Sequence, residues 1–247
     1  PEDFDKYLNE SLRRMGTDHI DFYLLHALDR KNWKEKVLGL DLLDRAEAAV
    51  RDGRIGHIGF SFHDEAEVFT EILTGYDRWD FCQIQYNYMD VANQAGAAGL
   101  KLAASKGVAV VVMEPLLGGR LARPPAAVNG LFRDHDSGRS PAEWALQWLW
   151  DQPEVATVLS GMSTLEQVDE NLASARRSAV GSFAAADHEL ISRVRAAYRE
   201  RTAVDCTKCN YCMPCPSGVN IPTVVEIYND AFLHDDAPGA RFLYKLF

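Results

Sequence analysis

Ile20-Asp-Phe-Tyr-Leu-Leu-His26-Ala27 is a short, nearly continuous apolar run. That pattern predicts a strand buried on both faces of a parallel sheet. Upstream, residues 2–14 read as a helix with Phe4, Leu8, Ser11 and Leu12 along one face and Gly16 as its stop. Downstream, residues 37–50 repeat helical spacing through Leu42, Leu43, Ala46, Ala49 and Val50, with Gly53 just past the end. The alternation continues with a strand over 55–62 and a helix over 66–73 that turns Val68, Phe69, Ile72 and Leu73 inward. A strand over 81–88, a helix over 94–106 stopped by Gly107, and a strand over 108–113 come next. A Pro/Gly-rich segment, 114–138, follows. Ser140-Pro141 then occupies N-cap and N1 positions of a helix to Trp150. Residues 156–159 read as the fifth strand, and Ser163-Thr-Leu-Glu166 as a capping box opening a helix that carries Val168, Leu172 and Ala175.

Five strands alternating with helices, without a hairpin signal, specify an α/β fold with a parallel sheet. Such connections suit a (β/α)8 TIM barrel or a doubly wound sheet. No G-x-G-x-x-G stands at a strand end, which lowers the second reading. Beyond Ser178 the alternation stops. Residues 183–201 read as a long charged helix with Leu190, Ile191, Val194 and Tyr198 on one face, and 224–232 as a short apolar one. A boundary near 179–187 is expected, giving a barrel portion over 1–180 and a helical segment over 181–247.

Between those last helices lies Cys206-Thr-Lys-Cys209-Asn-Tyr-Cys212-Met-Pro-Cys215-Pro216. Thiolates this close repel one another unless a cation holds them. Structural zinc usually takes cysteine pairs from two separated knuckles. A triple C-x2-C run closed by Cys-Pro suits an iron–sulfur cube, so a [4Fe–4S] cluster on Cys206, Cys209, Cys212 and Cys215 is expected. Zinc and a redox disulfide pair are the alternatives. The run resembles a bacterial-type ferredoxin motif, except that two residues rather than three precede the last cysteine. That leaves Cys215 either completing this cluster or reaching toward a second.

The composition, 47% apolar and 25% charged over 247 residues, is that of a soluble globular protein. A net charge of −10 argues against a nucleic-acid partner. The longest apolar runs, such as 108–113, are too short to span a bilayer. Clustered cysteines beside an isolated Cys82 fit a reducing compartment, so the cytoplasm is expected. The chain opens at Pro1 directly into a helical pattern and closes on Tyr-Lys-Leu-Phe247, so both ends are expected to be cuts.

Several blocks together resemble the aldo/keto reductases. They are Glu10-Ser-Leu-Arg-Arg-Met-Gly-Thr-Asp18 with Ile20-Asp-Phe-Tyr-Leu-Leu-His26, Gly53-Arg-Ile-Gly-His-Ile-Gly-Phe-Ser61, Gln83-Ile-Gln-Tyr-Asn87, Met113-Glu-Pro-Leu116 and Glu166-Gln-Val-Asp-Glu-Asn171. The cysteine run is similar to that of the subgroup with a C-terminal ferredoxin-type segment. The resemblance implies a (β/α)8 barrel, of which the later five strands are present, and NAD(P)H-dependent reduction of a small carbonyl substrate.

It also implies roles. His26 matches the histidine of the Asp, Tyr, Lys and His tetrad, which orients and polarises the carbonyl. The other three tetrad residues belong to strands upstream of this chain. Ser61 and Gln83 match the side chains that hold the nicotinamide carboxamide, although Phe62 stands where the family often has Asn. Met113 stands where many members stack Tyr on the nicotinamide, and a thioether can also pack on a ring face. Leu116 and Gly119 match the loop along the pyrophosphate. Gly161, Ser163, Gln167 and Asn171 match the adenosine-end segment. NADPH-selective members place a cation to clamp the 2′-phosphate at the positions of Gly161, Ser163 and Gln167; none of these three is cationic, which favours NADH or loose cofactor binding.

Other residues have plainer readings. His57 and His63 are expected at the surface, and His19, His135, His188 and His234 in solvent. Cys82 reads as a buried small residue, Trp144, Trp148 and Trp150 as helix packing, and Glu114-Pro115 as a strand terminator. A hydride carries two electrons and a [4Fe–4S] centre one, so coupling them needs a converter such as flavin. The cluster is then either a relay to a redox partner protein or a staple for the tail. The rival reading is a non-catalytic or flavin-linked iron–sulfur electron-transfer protein on a barrel scaffold.

Overall fold

The computed structural model describes residues 2–135, 138–206 and 211–246. The chain runs α1 (Glu2–Met15), β1 (Ile20–Leu28), α2 (Leu42–Arg51), β2 (Ile55–Phe62), α3 (Ala66–Gly75), β3 (Phe81–Gln85), α4 (Gly96–Ser105) and β4 (Ala109–Met113). It continues through α5 (Ala126–Asp134), α6 (Pro141–Trp150), β5 (Val155–Val158), α7 (Leu165–Ala175), α8 (Ala185–Arg199), α9 (Ile221–Leu233) and α10 (Ala237–Tyr244). Two compact units form. One joins Pro1–Pro115 with Leu146–Gly181, the other Leu116–Ala145 with Ser182–Phe247.

The first unit holds a five-stranded sheet in the order β1-β2-β3-β4-β5, every neighbour pair parallel. A doubly wound sheet must reverse its strand order once to place helices on both faces. A monotonic order carries its crossovers to one side, as a barrel wall does. The burial agrees. Leu25, Ile58, Phe60, Phe62, Cys82, Ile84, Val110 and Val112 share a core with Val68, Phe69, Ile72 and Leu73 of α3 and Leu100 and Ala103 of α4. On the opposite face Phe22 is exposed and stacks on His57. β1 is therefore not buried on both faces as its apolar run predicts. It is an edge strand, and Asp21, Phe22 and His26 are open to solvent. Gly59 is required where β2 passes β3, since a Cβ there would meet the Phe81 ring at 2.6 Å.

Four local expectations are corrected. The helix expected over 37–50 begins only at Leu42, as α2; ahead of it lies a π-helical stretch, Asn32–Leu38, that buries Trp33 and Val37. A left-handed Asp41 (φ 53°) then separates it from α2. The segment 114–138 contains α5, because Val128 and Phe132, four residues apart, bury one face. The cap of α7 is Thr164, whose side chain accepts from the Gln167 N–H, one residue later than the capping box predicts. On α7 Leu172 and Ala175 face solvent and Ser174 is buried instead.

In the second unit α8 buries Leu190, Ile191, Val194 and Tyr198. His135, expected in solvent, is half-buried and pairs with Asp187 at 2.9 Å. His234, also expected in solvent, is half-buried with its ring against Tyr198. Burial, reinforced by the Arg120 charge, lowers its pKa. Asn220 caps α9 and Asp236 caps α10. No helix among the described residues is long and apolar enough to cross a membrane.

Candidate functional site

In a parallel sheet all strand carboxyl ends lie on one edge, and ligands of barrel folds bind there. The register aligns Ser61 on β2 with Gln83 on β3, and Gln85 on β3 with Met113 on β4. Ser61 is 1% exposed, and Gln83 and Met113 are half-buried. The Gln83 amide donates to the Met113 sulfur at 3.3 Å. Among the described residues the Gln83 Oε1 accepts no hydrogen bond, and the Ser61 oxygen accepts one, from the Ala27 N–H at 2.7 Å. The Ser61 hydroxyl proton and the Gln83 carbonyl are therefore available together, one donor and one acceptor. That pair is the complement of a primary amide.

His26 lies at the far end of β1, exposed to solvent. Around it the β1–β2 register slips between Leu25 and Leu28, and Ala27 takes a left-handed backbone (φ 52°). Ser61 holds the Ala27 N–H, and the Asn32 amide donates to the Ala27 carbonyl at 3.1 Å. Asn32 is itself fixed by its N–H bond to Asp29 at 2.6 Å. Neither Ala27 nor Asn32 carries a signal in the sequence, because a bulge at alanine lacks the usual glycine.

The segment after β5 is held differently. The Ser163 N–H and hydroxyl both donate to Gln167 Oε1, at 2.8 and 3.3 Å. The Asn171 amide donates to the Ser160 hydroxyl at 2.8 Å. Ser163, Gln167 and Asn171 thus brace the entrance to α7. Gly161 is exposed, and a Cβ there would meet nothing within 4 Å. Leu116 and Gly119 belong to the second unit. There the Leu116 carbonyl accepts the Gly119 N–H at 2.9 Å, and Gly119 sits at φ 89°.

The other candidate centre is the connection from α8 to α9. Cys206 and Cys212 are exposed and Cys215 half-buried, all as free thiols. Cys209 lies outside the described residues. Among the described residues no three ligating side chains come together as a metal site. The base of the connection is tied, since the Asn229 side chain exchanges bonds with the Val204 N–H and carbonyl at 2.9 and 2.8 Å. Cys82 is separate, fully buried in β3, where burial pushes its thiol up to about 12.

The profile of the aldo/keto reductase family matches residues 1–178. An uncharacterized oxidoreductase of Schizosaccharomyces pombe is 27% identical over 165 residues, covering 67% of this chain and 50% of that protein. Protein tas of Escherichia coli is 28% identical over 211 residues, covering 68% and 60%. Among solved structures, aldo-keto reductase AKR11C1 from Bacillus halodurans superposes with a TM-score of 0.63 at 25% identity, over 77% of this chain and 67% of that one. The chain thus spans half to three-fifths of the length of these two curated relatives. With the family profile over 178 consecutive residues and the sequential parallel sheet, the chain belongs to the aldo/keto reductase family.

Proposed function

We propose that this chain serves an NAD(P)H-dependent oxidoreductase that interconverts a carbonyl and an alcohol on a small substrate, within a polypeptide that completes a (β/α)8 barrel. The observation that carries the reading is the Ser61–Gln83 pair, one hydroxyl proton and one open amide carbonyl beside each other on the carboxyl edge of the sheet. Ser61 donates to the carboxamide oxygen and Gln83 Oε1 accepts from its amide nitrogen. The thioether of Met113, tied to Gln83, supplies an apolar surface for the ring. His26 donates a hydrogen bond to the substrate oxygen. The bound nicotinamide supplies the hydride chemistry. Leu116 and Gly119 serve the pyrophosphate, and Gly161, Ser163, Gln167 and Asn171 the adenosine end, with NADH preferred over NADPH because no cation stands at Gly161, Ser163 or Gln167.

A [4Fe–4S] cluster on Cys206, Cys209, Cys212 and Cys215 belongs to the same reading. The donor set fits it in kind, since the three described thiols share one connection and none is in a disulfide. A redox partner protein, reached directly or through flavin, and a cytoplasmic location complete the proposal. The test is NADH oxidation by the full-length protein, purified without oxygen, over a panel of aldehydes and ketones. A kcat/KM for NADH that falls at least about tenfold in Ser61→Ala, chiefly through KM, supports it. Absence of NADH binding sinks it. Pyridine-nucleotide binding without carbonyl turnover, with an iron chromophore that bleaches on reduction, favours the electron-transfer reading.

A further inference from the structure

Glu114, directly after Met113, takes a left-handed backbone at φ 53° without being glycine. Such a residue is strained and persists only where its surroundings over-determine it. Its own side chain is exposed and makes no hydrogen bond among the described residues. What holds it is Asn87, which is 0% exposed. The Asn87 Nδ2 donates to the Glu114 carbonyl at 3.2 Å and lies 3.4 Å from Asp90 Oδ2. The Asn87 Oδ1 accepts the N–H groups of Met89 and Asp90, at 2.9 and 3.0 Å. One residue earlier, the Tyr86 N–H donates to the Met113 carbonyl at 3.3 Å. Both carbonyls flanking the turn after β4 are therefore gripped from the exit of β3. The grip is rigid because Asn87 is pinned by two backbone groups of its own loop.

We propose that Asn87 is a positioning residue for Met113: by bonding the Glu114 carbonyl it holds the left-handed turn that keeps the thioether beside Gln83. Asn87 touches neither cofactor nor substrate. Its effect passes through the turn, so the nicotinamide end beside Met113 is expected to feel it more than the pyrophosphate end at Leu116 and Gly119. The inference rests on the cofactor reading above.

The test compares NADH with ADP-ribose, which lacks the nicotinamide, by equilibrium binding to the full-length protein. The unmodified protein is expected to bind both. Asn87→Ala is expected to weaken NADH by about tenfold while ADP-ribose affinity changes less than about twofold. Glu114→Val places a β-branched residue at the same left-handed position from the exposed side. It is expected to produce the same split even if Asn87→Ala fails to fold. Adding Glu114→Gly to Asn87→Ala is expected to recover part of the NADH affinity, because glycine takes the turn without strain. Equal weakening of both ligands, or no change in either, overturns the positioning role. Failure of the unmodified protein to bind either ligand overturns the cofactor reading, and the positioning role with it.

Discussion

The Ser61 hydroxyl oxygen accepts the Ala27 N–H at 2.7 Å across the β1–β2 pair. Ser61 is buried, and Ala27 directly follows His26 in a left-handed conformation. One side chain therefore has two duties. Its oxygen sets the bulge that turns the chain at His26, and its proton remains for a ligand. A serine hydroxyl can do both, since it combines one donor with two acceptor lone pairs.

Ser61→Ala leaves the part-buried Ala27 N–H without its acceptor. A loss of about 1–3 kcal/mol of stability is expected. Ala27→Gly relieves the left-handed strain and is expected to change stability by no more than about 1 kcal/mol. Ala27→Val is expected to cost about 1–2 kcal/mol or more. Urea midpoints at constant slope measure all three. An Ala27→Val protein as stable as Ala27→Gly would contradict the strained bulge.

Gly161 has free space where a side chain would begin. Gly161→Arg is expected to leave the melting temperature unchanged and to raise the NADPH-to-NADH affinity ratio by about tenfold, the worth of one charge-assisted bond. Paired binding isotherms read the ratio. An unchanged ratio would remove this segment from the adenosine end.

Asp187 links three groups of the second unit. Burial alone would raise its pKa, but the Ala184 N–H, His135 and Arg139 outweigh burial and hold the carboxyl below its usual range. The folded state thus binds that proton more weakly than the unfolded one, whose pKa is about 3.9. The stabilisation is present above that value and is lost as pH falls through the folded pKa. Asp187→Asn is expected to lower stability at pH 7 and to flatten the acid limb of the stability curve below about pH 4. An acid limb identical to that of the unmodified protein would show that the ionised carboxyl does not support the fold.

Replacement of Cys206, Cys209, Cys212 or Cys215 by serine is expected to remove most of the iron and the visible absorbance from anaerobically purified protein. Cys82→Ala, in the buried core of β3, is expected to keep both. Zinc at one equivalent, with no colour and no labile sulfide, would replace the cluster by a zinc staple.

Periodicity alone located all five strands, because strand and helix differ in how often an apolar residue recurs. It also picked the buried face of α8, Leu190, Ile191, Val194 and Tyr198. Local rules failed where a side chain answers to distant partners. α5 hides behind Pro124 and Pro125, and only the burial of Val128 and Phe132 shows it. A local competition moved the cap from Ser163 to Thr164, since Gln167, four residues on, takes the Ser163 N–H.

The sequence by itself determined the α/β class, the order of its elements, and a family resemblance carried by short blocks such as Gln83-Ile-Gln-Tyr-Asn87. Only the tertiary structure decided that the sheet runs in order rather than doubling back. It alone placed Ser61 beside Gln83 and showed that Ala27 and Glu114 are left-handed. The physical reason is that hydrophobic period is a property of neighbours along the chain. Register, and strain held by a remote side chain such as Ser61 or Asn87, depend on residues tens of positions away.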